Sequence, residues 1–278
     1  MKISRKKVLI TVTTYPLPSR SYDELVCTAG VLENGEHIRI YPMPLSFLNE
    51  LKNEGKVSQT KYTWIELDLK KRTDDFRPES YSPNDYEFND LVIGDTIDTA
   101  GNWFKRKEIC LKNVYTNMNT LIEESKAPKN KSLATFKPTK IHRLIIEKDE
   151  DEWKDVWKAL QNQMDLFANT DQKAEKAFPK VPFKFKYEFE DETGKVRKLM
   201  IEDWEIGQLY WNCLKRANGD KELALEKVRE KYETDFINNK EVYLFLGTTK
   251  EWHTRRAKNP FVIIGVFYPK KETQMKLF

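Results

Sequence analysis

Cysteine and histidine are scarce in this chain of 278 residues, and long apolar runs are missing. The three cysteines, Cys27, Cys110 and Cys213, lie far apart in sequence. An odd, scattered set excludes a disulfide framework and a clustered zinc site, and implies a reducing compartment. The three histidines, His37, His142 and His253, have no local ligand spacing, and Cys-x-x-Cys does not occur. No metal site is therefore expected. The longest apolar stretches, such as Phe261–Phe267, fall far short of a bilayer span. The first residues are polar and lead straight into a strand-like stretch, so a secretory leader is not expected and the expected location is cytoplasmic. A phosphate-binding Gly-x-x-x-x-Gly-Lys-Ser/Thr loop, a dinucleotide-binding Gly-x-Gly-x-x-Gly turn and a Gly-x-Ser-x-Gly elbow are all missing. No reaction and no cofactor can be read from such motifs.

What the chain does contain is globular material. It is 39% hydrophobic and 12% aromatic, with seven Trp and twelve Tyr, enough for a packed core. A net charge of +4 permits nucleic-acid binding without requiring it. Short β-branched or alternating runs predict strands over residues 7–14, 24–32, 37–41, 62–69, 142–147, 183–189, 196–201, 241–246 and 261–267. Asn34-Gly35 predicts a hairpin turn with positive φ at both central positions. Residues 73–102 read mostly as loop, with a short strand at 91–93, and 103–114 fits helix or strand. Helices are expected over 44–51, 119–126 and 150–167, and from a cap at Asp203 through a second helix ending near Ile237. No internal repeat is visible. The pattern predicts an α+β fold of mixed, mainly antiparallel sheets with several helices packed against them. The expected organisation is a β-rich domain over 1–148, a helix and linker over 149–181, an α+β domain over 182–270 and a flexible tail over 271–278.

Three segments carry chemistry. Glu66, Asp68 and Lys70 alternate on one strand, the arrangement by which nucleases hold Mg²⁺ and steady an attacking water. A half-exposed strand with its polar residues outward also explains them and is the favoured reading, since no upstream acidic partner is evident. Residues 248–259 form a polar loop between two buried strands, with Lys250, Trp252, His253, Arg255, Arg256 and Lys258 against the single acid Glu251. Arginine grips phosphate with paired N–H groups and an indole stacks on a base, so these six residues are the candidate nucleic-acid contacts. Gly247 is expected to permit close approach of a backbone or ligand. The alternative is a solvated loop with Trp252 folded back on the core. Loops over 13–22 and 75–81 are weaker candidates for ligand contact, because they place hydroxyls and arginines at strand ends.

The pentads Gln163-Met164-Asp165-Leu166-Phe167 and Gln274-Met275-Lys276-Leu277-Phe278 resemble the short motif by which bacterial DNA polymerases and mismatch-repair proteins bind the sliding clamp. In that motif an amide anchors one end and a Leu-Phe pair fills an apolar pocket. Met164 and Phe167 fall on the inner stripe of the expected helix, so the internal copy reads as core. The resemblance implies clamp contacts for Gln274, Met275, Leu277 and Phe278. The Thr13-Thr14-Tyr15-Pro16 segment, residues 22–30, 245–249 and 260–268 also resemble a bacterial family associated with mobile-element and defence gene neighbourhoods. That resemblance implies no catalytic residue. Together these features predict a DNA-metabolism protein of repair or phage defence. Its tail would reach the sliding clamp, and its basic loop would contact DNA rather than RNA. The alternatives are an enzyme that processes nucleic acid or nucleotides, such as a metal-dependent nuclease that would use Mg²⁺, and a protein-interaction module that binds no DNA. No membrane partner is expected.

Overall fold

Alternation of inward apolar and outward polar residues builds the first of two barrels. The computed structural model describes residues 3–14, 25–44, 59–152 and 179–272. The chain divides into two compact units, Met1–Ile97 with Glu147–Lys184, and Asp98–Ile146 with Phe185–Phe278.

In the first unit the strands are β1 (Ile3–Thr13), β2 (Leu25–Leu32), β3 (His37–Pro44), β4 (Thr63–Lys71), β5 (Ser80–Pro83) and β6 (Val92–Thr96). On β4, Thr63, Ile65, Leu67 and Leu69 are buried, while Trp64, Glu66, Asp68 and Lys70 are half-exposed. The inward set meets Val8, Ile10, Ile38 and Ile40 in the core. Each such side chain contributes roughly 1.5–3 kcal/mol by leaving water. The strand β1 serves two partners. Residues 3–9 pair antiparallel with β4, and residues 8–13 pair antiparallel with β2, with a register shift between Ile10 and Val12. A bulge of this kind bends a strand and raises its twist, which lets one strand close a barrel. The order runs β1-β2-β3-β5-β4 and returns to β1, with β3 and β5 parallel through Arg39↔Ser80 and Ile40↔Tyr81. This is the strand order of the five-stranded OB barrel.

The second unit repeats the order with other residues. It holds α1 (Ala100–Cys110), β7 (Val114–Tyr115), α2 (Met118–Glu124), β8 (Leu133–Phe136), β9 (Lys140–Lys148), β10 (Phe183–Glu190) and β11 (Val196–Met200). Then follow α3 (Trp204–Arg216), α4 (Lys221–Arg229), a π-helical turn (Glu230–Asp235), α5 (Phe236–Asn239), β12 (Tyr243–Thr248), α6 (Lys250–Thr254) and β13 (Phe261–Phe267). Two sheets, β11-β10-β9 and β13-β12-β8-β7, meet at a parallel bridge between Ile201 and Ile263. The Glu202 N–H donates to the Ile263 carbonyl at 2.7 Å beside it. Taking β8 and β9 as one bent first strand, β10, β11, β12 and β13 follow as second to fifth. The third and fifth are again parallel neighbours, and the fourth returns to the first through β12–β8 pairing. Helices α3 to α5 fill the connection between third and fourth strands. Asp203 caps α3 by accepting from the Glu205 N–H at 3.1 Å, and Ile206, Tyr210 and Cys213 form its buried stripe.

The α+β expectation holds, and several local expectations change. The segment at residues 133–136 is a strand buried at all four positions, so it shows no alternation to read. Residues 80–83 pair as β5 although proline and serine disguise them. In the hairpin at Asn34-Gly35 only Gly35 takes positive φ, at 87°, and the Asn34 side chain accepts from the Glu36 N–H instead. The ambiguous segment is α1, which begins with a left-handed turn at Gly101, Asn102 and Trp103. The helices expected over 44–51 and 150–167 fall outside the described residues, apart from Pro44, which ends β3, and residues 150–152.

Candidate nucleic-acid interface

The connection from fourth to fifth strand of the second barrel is built around a buried imidazole. The strand β12 ends at Thr248, and Thr249 leaves it in an extended conformation. Its hydroxyl accepts from the Trp252 N–H at 3.2 Å, the N-cap bond that starts α6. Residues 247–260 are therefore not all loop as expected. At the far end the Ala257 N–H reaches the Trp252 carbonyl and the Arg256 N–H reaches the His253 carbonyl, both at 3.1 Å. This pair of bonds is the Schellman closure, whose left-handed position usually holds glycine. Here Arg256 holds it, with φ 53°.

His253 points inward, with 7% of its surface exposed. Its Nε2 lies 2.5 Å from the Ser125 carbonyl and its Nδ1 lies 2.9 Å from the Thr248 hydroxyl. A carbonyl only accepts, so Nε2 carries the proton and donates, which leaves Nδ1 to accept from Thr248 in the neutral ring. Both nitrogens are engaged inside the protein, so His253 is a pin for α6 rather than a phosphate contact. That corrects its placement among the candidate contacts. Gly247 also has a different use from the one expected. A Cβ there would meet Ile264 Cδ1 at 2.9 Å, so the group that approaches closely is the Ile264 side chain of β13 rather than a backbone.

The remaining candidates are all exposed. Trp252 is 49% exposed and is not folded back on the core. The Arg255 guanidinium sits 5.6 Å from its ring centroid and pairs with Glu251 at 2.9 Å. Lys250, Arg256 and Lys258 are exposed too. Four exposed cations thus lie within six residues of an exposed indole in sequence, and one of them, Arg255, stands beside its ring. Such a surface can stack a base and hold the adjoining phosphates.

Glu66, Asp68 and Lys70 lie on the outer face of β4. The Arg5 guanidinium bridges the two acids, at 3.1 Å from Glu66 and 3.6 Å from Asp68, and stands 3.7 Å from Asp90. Asp90 also accepts from the Asp68 N–H at 2.6 Å. Lys70 turns aside to the Asn84 carbonyl at 3.4 Å. The carboxylates are gathered around a cation of the protein's own. Among the described residues, no group of three or more His, Cys, Asp or Glu is placed to hold a metal ion.

Of the two weaker loops, residues 15–22 fall outside the described residues. The loop at 75–81 belongs to the connection between β4 and β5. There Asp75 and Arg77 form a buried bidentate pair, with Nε to Oδ1 at 2.9 Å and a second N–H to Oδ2 at 2.6 Å. Burial alone would push the Asp75 carboxyl up; the Arg77 hydrogen bonds and charge outweigh it and hold the group well below the usual carboxylate range. Between the two inward residues, Phe76 is 44% exposed. Lys71 holds the loop's backbone by donating to the carbonyls of Arg77, Pro78 and Ser80.

Both pentads lie outside the described residues. The chain leading to the terminal copy is anchored. Asn102, in the left-handed turn of α1, donates to the Lys270 carbonyl at 2.9 Å and accepts from the Lys270 N–H at 2.7 Å. Glu272 pairs with Lys107 at 2.8 Å. Cys110 and Cys213 are buried free thiols. Among the described residues, no helix is long and apolar enough to cross a membrane.

Sequence reasoning located the basic residues but not the pin. The partner carbonyl of His253 is 128 residues away, so no local signal announces it. The left-handed Arg256 was equally hidden, because arginine is not the residue that marks such a position.

Residues 114–278 match the domain of unknown function DUF8757, and the chain belongs to that family. Residues 4–112 match a second domain of unknown function, DUF8758. A comparison with curated proteins gives no match. A solved structure of a murine DNA-binding protein bound with double-stranded DNA aligns over 97% of this chain and 96% of that one, at 10% identity and a TM-score of 0.30. A likeness that weak bears no weight in the reading of this chain.

Proposed function

We propose that this member of the DUF8757 family binds single-stranded DNA through α6 and the residues that follow it to Lys258. Trp252 stacks on a base, and Lys250, Arg255, Arg256 and Lys258 hold phosphates. The observation that carries this reading is the half-exposed indole with a guanidinium beside it, on a helix whose underside is pinned by His253. A pinned element loses little conformational freedom on binding, so more of the contact energy appears as affinity. The strand order supports the location, because the connection between fourth and fifth strands is one of the two loops with which OB barrels bind oligonucleotides. That support is analogy at the level of fold. Single strands are favoured over duplex because stacking needs an open base face.

The terminal pentad completes the reading as a tether. The chain is anchored up to Glu272, and Gln274, Met275, Leu277 and Phe278 follow within a few residues. Their resemblance to the clamp-binding motif supports capture by the bacterial sliding clamp. A tether raises local concentration on DNA, so weak intrinsic affinity suffices. The setting is DNA repair or phage defence in the cytoplasm, on the resemblance of the wider sequence.

Titration of a labelled single-stranded oligonucleotide tests the binding reading. Trp252→Ala should weaken binding about tenfold, from the 1–3 kcal/mol that a stacked base contributes. Equal affinity of variant and parent would reject the role of α6. The tether is tested separately, by the affinity of purified clamp for the full chain and for a chain ending at Thr273. Loss on shortening supports it, and equal or absent binding by both rejects it.

A further inference from the structure

The bonds that pin α6 also fasten a second basic segment beside it. The Ser125 carbonyl accepts from His253 Nε2 at 2.5 Å, and the Ser132 carbonyl accepts from the Thr248 N–H at 3.0 Å. One residue further on, Leu133 pairs with Gly247 as β8 runs antiparallel to β12. Residues 125–132 and 248–253 therefore run antiparallel and are joined at both ends. Ser125 and Ser132 are buried at those joints, and residues 126–129 between them are exposed. The backbone of this excursion is held by its own bonds. The Asn130 N–H donates to the Lys126 carbonyl and the Lys131 N–H donates to the Glu124 carbonyl, both at 2.9 Å. Asn130 takes the left-handed conformation, φ 50°, which asparagine adopts more readily than most residues. A pre-formed, exposed turn thus stands alongside residues 249–252.

The charge of the turn is of one sign. Residues 125–132 contain Lys126, Lys129 and Lys131 and no acid. Two acids of α2 reach it from outside: Glu123 pairs with Lys126 at 2.6 Å, and Glu124 pairs with Lys129 at 2.8 Å. The Lys126 and Lys129 side chains nonetheless stay 60% and 67% exposed. Pairs so open to water contribute little, and a phosphate offers each ammonium the same charge-assisted bond. Glu124 keeps a donor when Lys129 turns away, because the Tyr115 hydroxyl also donates to it at 2.6 Å. The turn precedes the first strand of the second barrel, so the analogy with oligonucleotide-binding connections does not point to it. Its place beside α6 comes from the bonds at Ser125 and Ser132 alone. Binding grooves for single strands track the backbone with cations on either side of the stacked bases.

We infer that Lys126 and Lys129 hold phosphates of the strand that stacks on Trp252, so that the path of the DNA crosses from α6 onto the turn before β8. The inference rests on the proposed function and extends its site. Salt titrations of the full chain with a labelled oligothymidine test it. Lys126→Ala combined with Lys129→Ala should weaken binding and make the slope of log K against log salt shallower by about 1.4, from about 0.7 for each phosphate contact. Lys126→Arg combined with Lys129→Arg should keep the parent's affinity and slope, which separates lost charge from a damaged turn. Lys215→Ala combined with Lys227→Ala, on α3 and α4, should leave the slope unchanged. An equal change there would reduce the effect to net charge and overturn the inference. Parent affinity and slope in the Lys126 and Lys129 alanine variant, with Trp252→Ala weakened, would also overturn it and leave the proposed function standing. Parent affinity in Trp252→Ala, or no binding by the parent, would overturn the proposed function and the inference together.

Discussion

Arg256 occupies a backbone conformation that disfavours every side chain with a Cβ. A left-handed residue other than glycine costs roughly 1–2 kcal/mol, and glycine recovers much of this at a helix C-terminus. Retaining arginine there exchanges stability for an exposed cation just past the end of α6. Arg256→Gly should therefore raise the denaturation midpoint, by about 1 kcal/mol of stability, while lowering affinity for single-stranded DNA. A variant less stable than the parent, or equal in DNA affinity, would contradict this account. Asp75 supplies a second residue-level outcome. Its carboxyl titrates lower in the folded protein than in the unfolded chain. The stability it contributes is therefore complete above the unfolded value of about 3.9 and is lost as pH falls toward the folded value. Asp75→Ala removes that part of the acid dependence and leaves Arg77 buried without its carboxylate, at a cost of roughly 3–5 kcal/mol. Urea unfolding of both proteins across the acid range measures it; parallel curves would contradict the assignment.

At the scale of the element, α6 is only five residues long and depends on its neighbours. Short helices are not stable alone. Its supports are the Thr249 cap, the Schellman closure and the bonds from His253 to Ser125 and Thr248. His253→Ala should destabilise the protein by about 1–3 kcal/mol, since two buried groups lose a partner. Affinity for DNA should fall as well, but the salt dependence should stay, because every phosphate-facing cation remains. A changed salt dependence would show that His253 itself meets phosphate. Sequence legibility divides along the same line. The strands at 62–69, 183–189 and 261–267 were readable because alternation or continuous burial is a local property. The basic character of 248–259 was readable for the same reason. The helix within that segment was not, because a threonine cap and a distant carbonyl decide it. The strand at Leu133–Phe136 escaped because full burial of four residues leaves no period.

Two barrels of one strand order stand in a chain with no visible repeat. Strand order is set by which alternating segments can pair and by where bulges fall, and neither needs residue identity, so a topological repeat leaves little trace in sequence. The loops singled out by composition at 75–81 and 248–259 turn out to occupy the same position in their barrels. The central claim is that α6 and its flanking cations bind single-stranded DNA, and the salt dependence of affinity tests it most directly. Single-stranded binding loses about 0.7 in the slope of log K against log salt for each phosphate contact removed. The chain with Arg255 and Arg256 both changed to alanine should bind more weakly, with a slope shallower by about 1.4. An unchanged affinity and slope in that variant would contradict the account.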